Sequence, residues 1–209
     1  MSNSRTNILN KIKQALVHKV PAPFSAATDN IAHFPASVKE LELEFAENFN
    51  GLKGRFSYCF NRAELVNQLL VLIEARQWKN IYCREDAIKE MLAKNGLAIS
   101  YTEDLAHCDV ALTGCEFLVA RTGSMLLSSA QQSGRTVSVY APVHICLAHP
   151  DQLVYDVQDA IMKLREKHGS SFPSMVSLAT GPSRTADIEK TLVVGVHGPK
   201  EVFCFLIDE

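Results

Sequence analysis

The densest polar stretch of the sequence is Thr180-Gly-Pro-Ser-Arg-Thr-Ala-Asp-Ile-Glu189. It follows an apolar, strand-like run and is expected to enter a short helical turn. Free N–H groups at a helix start favour negative charge, Ser183 and Thr185 can cap or bind, and Arg184 offers a planar fork to a carboxylate or phosphate. In the plainer reading, Asp187 and Glu189 complement the helix dipole and one of them pairs with Arg184. Val196-His197-Gly198-Pro199 comes soon after. Flanked by Gly195 and Gly198, His197 is the best-placed general acid or base, or else a turn histidine that bonds only backbone.

Three Thr-Gly dipeptides, Thr113-Gly114, Thr122-Gly123 and Thr180-Gly181, each follow an expected strand. Ligands of open α/β sheets bind beyond the carboxyl ends of strands, where glycine lets the backbone approach and Thr or Ser adds a hydroxyl. Converging on one edge, two or three of them form an anion cradle, with Gly181, Ser183, Arg184 and Thr185 facing Thr122, Gly123 and Ser124. Unrelated turns are the competing reading. His144 and His149, around Pro150, have no metal-ligand companion by spacing and read as structural. Cys59, Cys83, Cys108, Cys115, Cys146 and Cys204 are scattered, with no C-x-x-C pair, so neither zinc nor an iron–sulfur cluster is expected in this chain. No G-x-S-x-G elbow, Walker lysine loop or G-x-G-x-x-G fingerprint is present.

The elements that must position these residues follow from periodicity. An acidic amphipathic helix runs from Val38 to near Gly51, and Arg55 to Phe60 reads as a strand. Asn61 and Glu64 suggest a capping box for a helix carrying Leu65, Leu69, Leu72 and Ile73. Asn80 to Cys83 reads as a strand, Glu85 to Lys94 as a helix, and Ala98 to Tyr101 as another strand. This alternation is the pattern of a mostly parallel sheet with flanking helices. Asp109 to Thr113, Phe117 to Ala120, Ser124 to Ser128, Thr136 to Tyr140 and His144 to Ala148 are short strand-like runs whose tight connections call for some antiparallel pairing. A long helix is expected from Pro150 to Gly169, then strands at Met175 to Ala179 and Val202 to Ile207. The fold class is therefore α/β, with a mixed, mostly parallel sheet.

The first nineteen residues hold Arg5, Lys11, Lys13 and Lys19, no acid, and a narrow apolar stripe. Such an arm packs on its own domain or a neighbouring subunit, or serves as a targeting or membrane-surface helix. Pro21, Pro23 and Pro35 punctuate a strap behind it. The expected division is 1–36 for arm and strap and 37–209 for one α/β domain.

The chain has 209 residues, 47% of them hydrophobic, with 21 Lys plus Arg against 23 Asp plus Glu. A domain of this size buries about 70% of its unfolded surface and needs no staple. A net charge of −2 gives no field for a polyanion, which argues against nucleic acid. No run of about 18 apolar residues or secretory h-region occurs, so no membrane span and a cytoplasmic location are expected.

The ten-residue string Thr180 to Glu189, followed by Gly195-Val-His-Gly-Pro199 and a terminal apolar strand, closely resembles the lactate-utilization (LUD) domain family, in its lactate-utilization protein C branch. The resemblance covers roughly Val38 to Ile207. It implies a fold related to the sugar-phosphate isomerase and CoA-transferase group. It also implies L-lactate oxidation to pyruvate alongside two partner proteins, one bearing an iron–sulfur cluster. The family's central segment maps to Glu116, a second catalytic candidate beside His197, and to Thr122-Gly123-Ser124. Family members carry an acid or a small residue before that Thr-Gly, where this chain has Arg121. The substitution implies either a missing carboxylate or a more anionic ligand.

Three functions remain open at this level. The first is a subunit of lactate oxidation that binds a small anionic metabolite, lactate- or pyruvate-like, with the electrons passing to an iron–sulfur partner. The second is a non-catalytic assembly subunit. The third is a free-standing enzyme acting on a phosphorylated or CoA-linked metabolite. A homo-oligomer is compatible with each.

Overall fold

A computed structural model describes residues 4–17, 34–35, 37–188 and 191–209; at 186–188 and 191–192 it describes the backbone. The chain divides into two compact units, Met1–Pro35 and Ala36–Glu209. The first contains helix α1 (Ser4–Val17). The expected strap, Val20 to Ser37, falls mostly outside the described residues.

In the second unit, β1 (Arg55–Cys59), β2 (Ile81–Cys83), β3 (Val110–Thr113), β6 (Val143–Ala148) and β11 (Glu201–Ile207) form an all-parallel sheet in the order β1-β11-β6-β3-β2. All four β3 residues and all six of β6 are buried. A strand covered on both faces reads as a continuous apolar run, which is how these segments appear in the sequence. One face packs on α3 (Arg62–Arg76) and α4 (Asp86–Lys94) through Leu65, Leu69, Ile88 and Leu92. Asn61 accepts from the Glu64 N–H at 2.9 Å, while the Glu64 carboxylate accepts from the Phe60 N–H. The cap is therefore present, with its reciprocal bond moved one residue back from the usual position.

The opposite face receives α2 (Leu41–Gly51), through Phe45 and Phe49, and a second sheet. There β4 (Phe117–Val119) and β5 (Ser124–Ser128) form an antiparallel hairpin, flanked by β7 (Leu153–Val154) and β8 (Val176–Ala179) in the order β7-β4-β5-β8. Helix α6 (Val157–His168) buries Ala160 and Leu164 against the far side of this sheet. The antiparallel pairing expected in the middle of the chain is thus in the second layer, and the central sheet stays parallel. Among the described residues no helix is long and apolar enough to cross a membrane.

Several local expectations are corrected. Ala98 to Tyr101 forms no strand and makes one bridge, Tyr101 to Ile81, because β2 offers an edge only three residues long. Thr136 to Tyr140, β-rich by composition, is a four-residue helix, α5 (Val137–Tyr140), because both sides of β3 are already paired. Only Val137 of this turn is an apolar anchor, packed with Tyr82, Cys108 and Ala111.

The helix expected at Pro150 starts at Val157. Pro150–Gln152 is a 3-10 turn, Leu153 and Val154 pair with β4, and Asp156 supplies the cap, with Asp159 reciprocating. Proline tolerates a first helical turn but does not start one when the next apolar pair is taken by a sheet. Thr180 to Ile188 enters no helical turn. Arg184–Ile188 is strand β9, antiparallel to β10 (Thr191–Val194). An anion site at a helix N-terminus is therefore not available there.

Candidate functional site

The loop after β8 and the loop after β10 run side by side. Ser183 donates its N–H to the Pro199 carbonyl at 2.9 Å, and the Gly195 N–H donates to the Ser183 carbonyl at 3.0 Å. Gly198 has no side chain because none fits, since a Cβ there would lie 2.8 Å from the Ser183 Cβ. Beneath these loops lies a cavity of about 300 Å³. Its walls include Ser138 and Val139 of α5, His144 at the start of β6, Val202 at the start of β11, and Ser177 to Ser183 together with His197 and Gly198. A second hollow of about 430 Å³ shares Val139, His197 and Gly198 and adds Tyr140, Gly195 and Lys200. Among the described residues neither is lined by an aspartate or glutamate. Hydroxyls, the His197 imidazole and the Lys200 ammonium make a wall suited to a small anion.

His144 is wholly buried. Its Nε2 lies 2.8 Å from the Thr113 hydroxyl oxygen, and its Nδ1 has no hydrogen-bond partner among the described residues. Burial pushes the imidazole down to about 4, so it is neutral at pH 7. Sequence reasoning reads this residue as structural. Its only local signal was a histidine at the head of an otherwise apolar strand.

The other expected residues separate into distinct places. Gly181, Ser183 and His197 line the cavity, and His197 is exposed at its mouth. Thr122, Gly123 and Ser124 close the hairpin between β4 and β5. Gly123, at φ +57°, packs so tightly on α2 that a Cβ would lie 2.5 Å from the Phe49 nitrogen. The Ser124 hydroxyl meets that of Thr180 at 2.8 Å, a polar link from this turn to the cavity wall. The Arg184 guanidinium donates to the Leu52 carbonyl beyond the end of α2, away from the cavity lining. Thr185 pairs with Val193 in the hairpin, and the side chain of Asp187 lies outside the described residues.

Glu116 lies at the opposite end of the β4–β5 hairpin from Thr122 to Ser124. Only 3% exposed, it accepts from the Ser128 hydroxyl at 2.5 Å and from the Lys167 ammonium at 2.7 Å, with His168 at 3.3 Å. Burial opposes its charge, but these three partners outweigh burial and hold the carboxyl below its ordinary value. At Thr113-Gly114 the cradle is already filled, because the Glu85 carboxylate accepts the Gly114 N–H with both oxygens at 3.1 Å. Among the described residues no group of three or more His, Cys, Asp or Glu is arranged to hold a metal ion.

Residues 43–207 match the LUD domain. The chain belongs to the LUD domain family. It is similar to an uncharacterized protein of Neisseria meningitidis serogroup B, at 29% identity over 98% of this chain and 94% of that one. It is also similar to Lactate utilization protein C of Anoxybacillus flavithermus, at 33% identity over 51% of this chain and 47% of the relative. With Lactate utilization protein C of Bacillus subtilis the identity is 34% over 49% and 44%. The matched stretch thus spans about half the length of each lactate-utilization relative. The crystal structure of a DUF162 family protein from Deinococcus radiodurans shares the fold. It has a TM-score of 0.61 over 83% of this chain and 99% of that one, at 20% identity. The LUD domain therefore accounts for everything from α2 to β11.

Proposed function

We propose that this LUD domain protein serves lactate utilization by holding a small carboxylate, L-lactate or its oxidation product pyruvate, in the cleft between His144 and His197. The observation that carries this reading is a pair of adjoining hollows with no acidic side chain among their described lining residues, with His197 on both, Lys200 on one and Ser183 on the other. An ammonium, an imidazole and a hydroxyl are ordinary partners of a carboxylate, and each such charge-assisted contact adds both affinity and orientation. The names of the relatives that match half the chain at about one-third identity support lactate as the metabolite. Oxidation of lactate to pyruvate releases two electrons and two protons. In this proposal an iron–sulfur partner protein takes both electrons, and both protons leave to solvent by way of His197 at the mouth.

The test is lactate-dependent dye reduction by the chain with its partner proteins and by each component alone. Replacing His197 or Lys200 by Ala should cut the assembled activity at least tenfold, the cost of one lost charge-assisted contact. Full activity in both variants would remove the cleft from the reaction.

A further inference from the structure

The hydrogen bonds of Thr113 determine which nitrogen of the His144 ring carries the proton. Thr113 is 1% exposed, and its hydroxyl donates to the Gly114 carbonyl at 2.8 Å, a group that can only accept. Its single proton is thereby committed, and the same oxygen has only lone pairs to offer His144 Nε2 at 2.8 Å. Nε2 must therefore be the protonated nitrogen. A neutral imidazole carries one N–H, so Nδ1 is a bare lone pair. That atom is buried without a donor, in a ring that lines the cavity. A buried acceptor left unpaired is costly, and a ligand that supplies a donor recovers the cost.

We infer that His144 is a specificity-determining residue whose Nδ1 accepts a hydrogen bond from the ligand's hydroxyl, so that the cavity selects a 2-hydroxy acid over the 2-oxo acid or the acid lacking the hydroxyl. This deepens the carboxylate reading above and rests on it. The hydroxyl of L-lactate satisfies Nδ1. The oxo group of pyruvate sets lone pair against lone pair, and propionate leaves Nδ1 unpaired. A site built around a ligand hydroxyl discriminates strongly against analogues that lack it. Thr113 is the positioning residue. With valine in its place Nε2 loses its acceptor, the ring proton is free to move to Nδ1, and the preference shrinks or reverses.

The experiment has two parts. Long-range 1H–15N correlation on the ligand-free protein reads the His144 tautomer, and calorimetry compares L-lactate, pyruvate and propionate on the wild type and on Thr113→Val. The Nε2–H tautomer is expected, with L-lactate bound about tenfold or more tighter than the other two. Thr113→Val should still bind carboxylates without that advantage. An Nδ1–H tautomer, or equal affinity for L-lactate and pyruvate, overturns the inference while leaving the carboxylate site standing. Binding of none of the three acids overturns the carboxylate reading and this assignment with it. The tautomer is read on the unmodified protein, so the result does not depend on how well the variant folds.

Discussion

Arg121 holds Asp156 with two hydrogen bonds, Nε at 3.1 Å and Nη2 at 2.9 Å from the two carboxylate oxygens. The pair joins the turn between β4 and β5 to the cap of α6, with both side chains about a quarter exposed, at 24% and 22%. Arg121 holds the Asp156 carboxyl below its ordinary value and, through it, the start of the helix. The arginine that stands before Thr122-Gly123 therefore has an architectural partner in Asp156.

A double-mutant cycle of Arg121→Ala and Asp156→Ala should give a coupling of about 1 kcal/mol in urea unfolding, reduced from the buried-pair range by its partial exposure. Affinity for L-lactate should not change in the Arg121 variant. Zero coupling, or a tenfold loss of affinity, would contradict the architectural role.

Gly123 should be far less tolerant than Gly96, although both have positive φ. Alanine at Gly96, φ +93°, meets nothing within 4 Å and should cost about 1–2 kcal/mol for the backbone conformation alone. At Gly123 the added methyl also collides with the backbone of α2, so the loss should exceed about 3 kcal/mol. Equal losses, measured by denaturant midpoints, would show that α2 yields at no cost.

His144 makes a pH prediction with a definite sign. Its folded-state value, about 4, lies below the ordinary 6.5, so the unfolded chain binds the proton more readily. Stability is therefore lost as pH falls from 6.5 toward 4, by roughly 3 kcal/mol for this group. His144→Phe should flatten that part of the wild-type stability profile. An unchanged slope between pH 6.5 and 4 would place the titrating group elsewhere.

Glu116 carries a dependence of the same sign in a lower pH range. Its carboxyl is held below the usual range, so its contribution is complete above the ordinary value of 4.5 and fades as pH falls through the lower folded-state value. Glu116→Gln should cost about 1–2 kcal/mol at pH 7, a modest figure because Lys167 is half exposed, and less near pH 4. Assembled lactate activity should survive this change. A hundredfold loss with an intact fold would restore Glu116 to the catalytic role that the family resemblance suggests.

Strands β3, β6 and β11 were legible because burial on both faces leaves an uninterrupted apolar run. Ser183 and His197 were legible as loop residues because Gly181, Pro182, Gly198 and Pro199 mark the turns beside them. Pairing across the chain was not legible. That Arg184 answers Leu52, that Gly114 is occupied by Glu85, and that Thr113 meets His144 are contacts between segments with no shared local pattern. The hairpin at Arg184 to Val194 was missed because Ser183, Asp187 and Glu189 are equally at home in a helix's first turn. The family resemblance pointed to this segment, and the geometry separates its packing residues from those that line the cavity.

The most direct test of the cleft is a titration of the 15N-labelled protein with L-lactate, followed by backbone amide shifts. Saturable changes centred on Ser138 to His144, Ser177 to Ser183 and Gly195 to Lys200 are the predicted result. Changes centred instead on Thr122 to Ser124 or on Glu116 and Lys167, with the His144 and His197 regions unmoved, would contradict it.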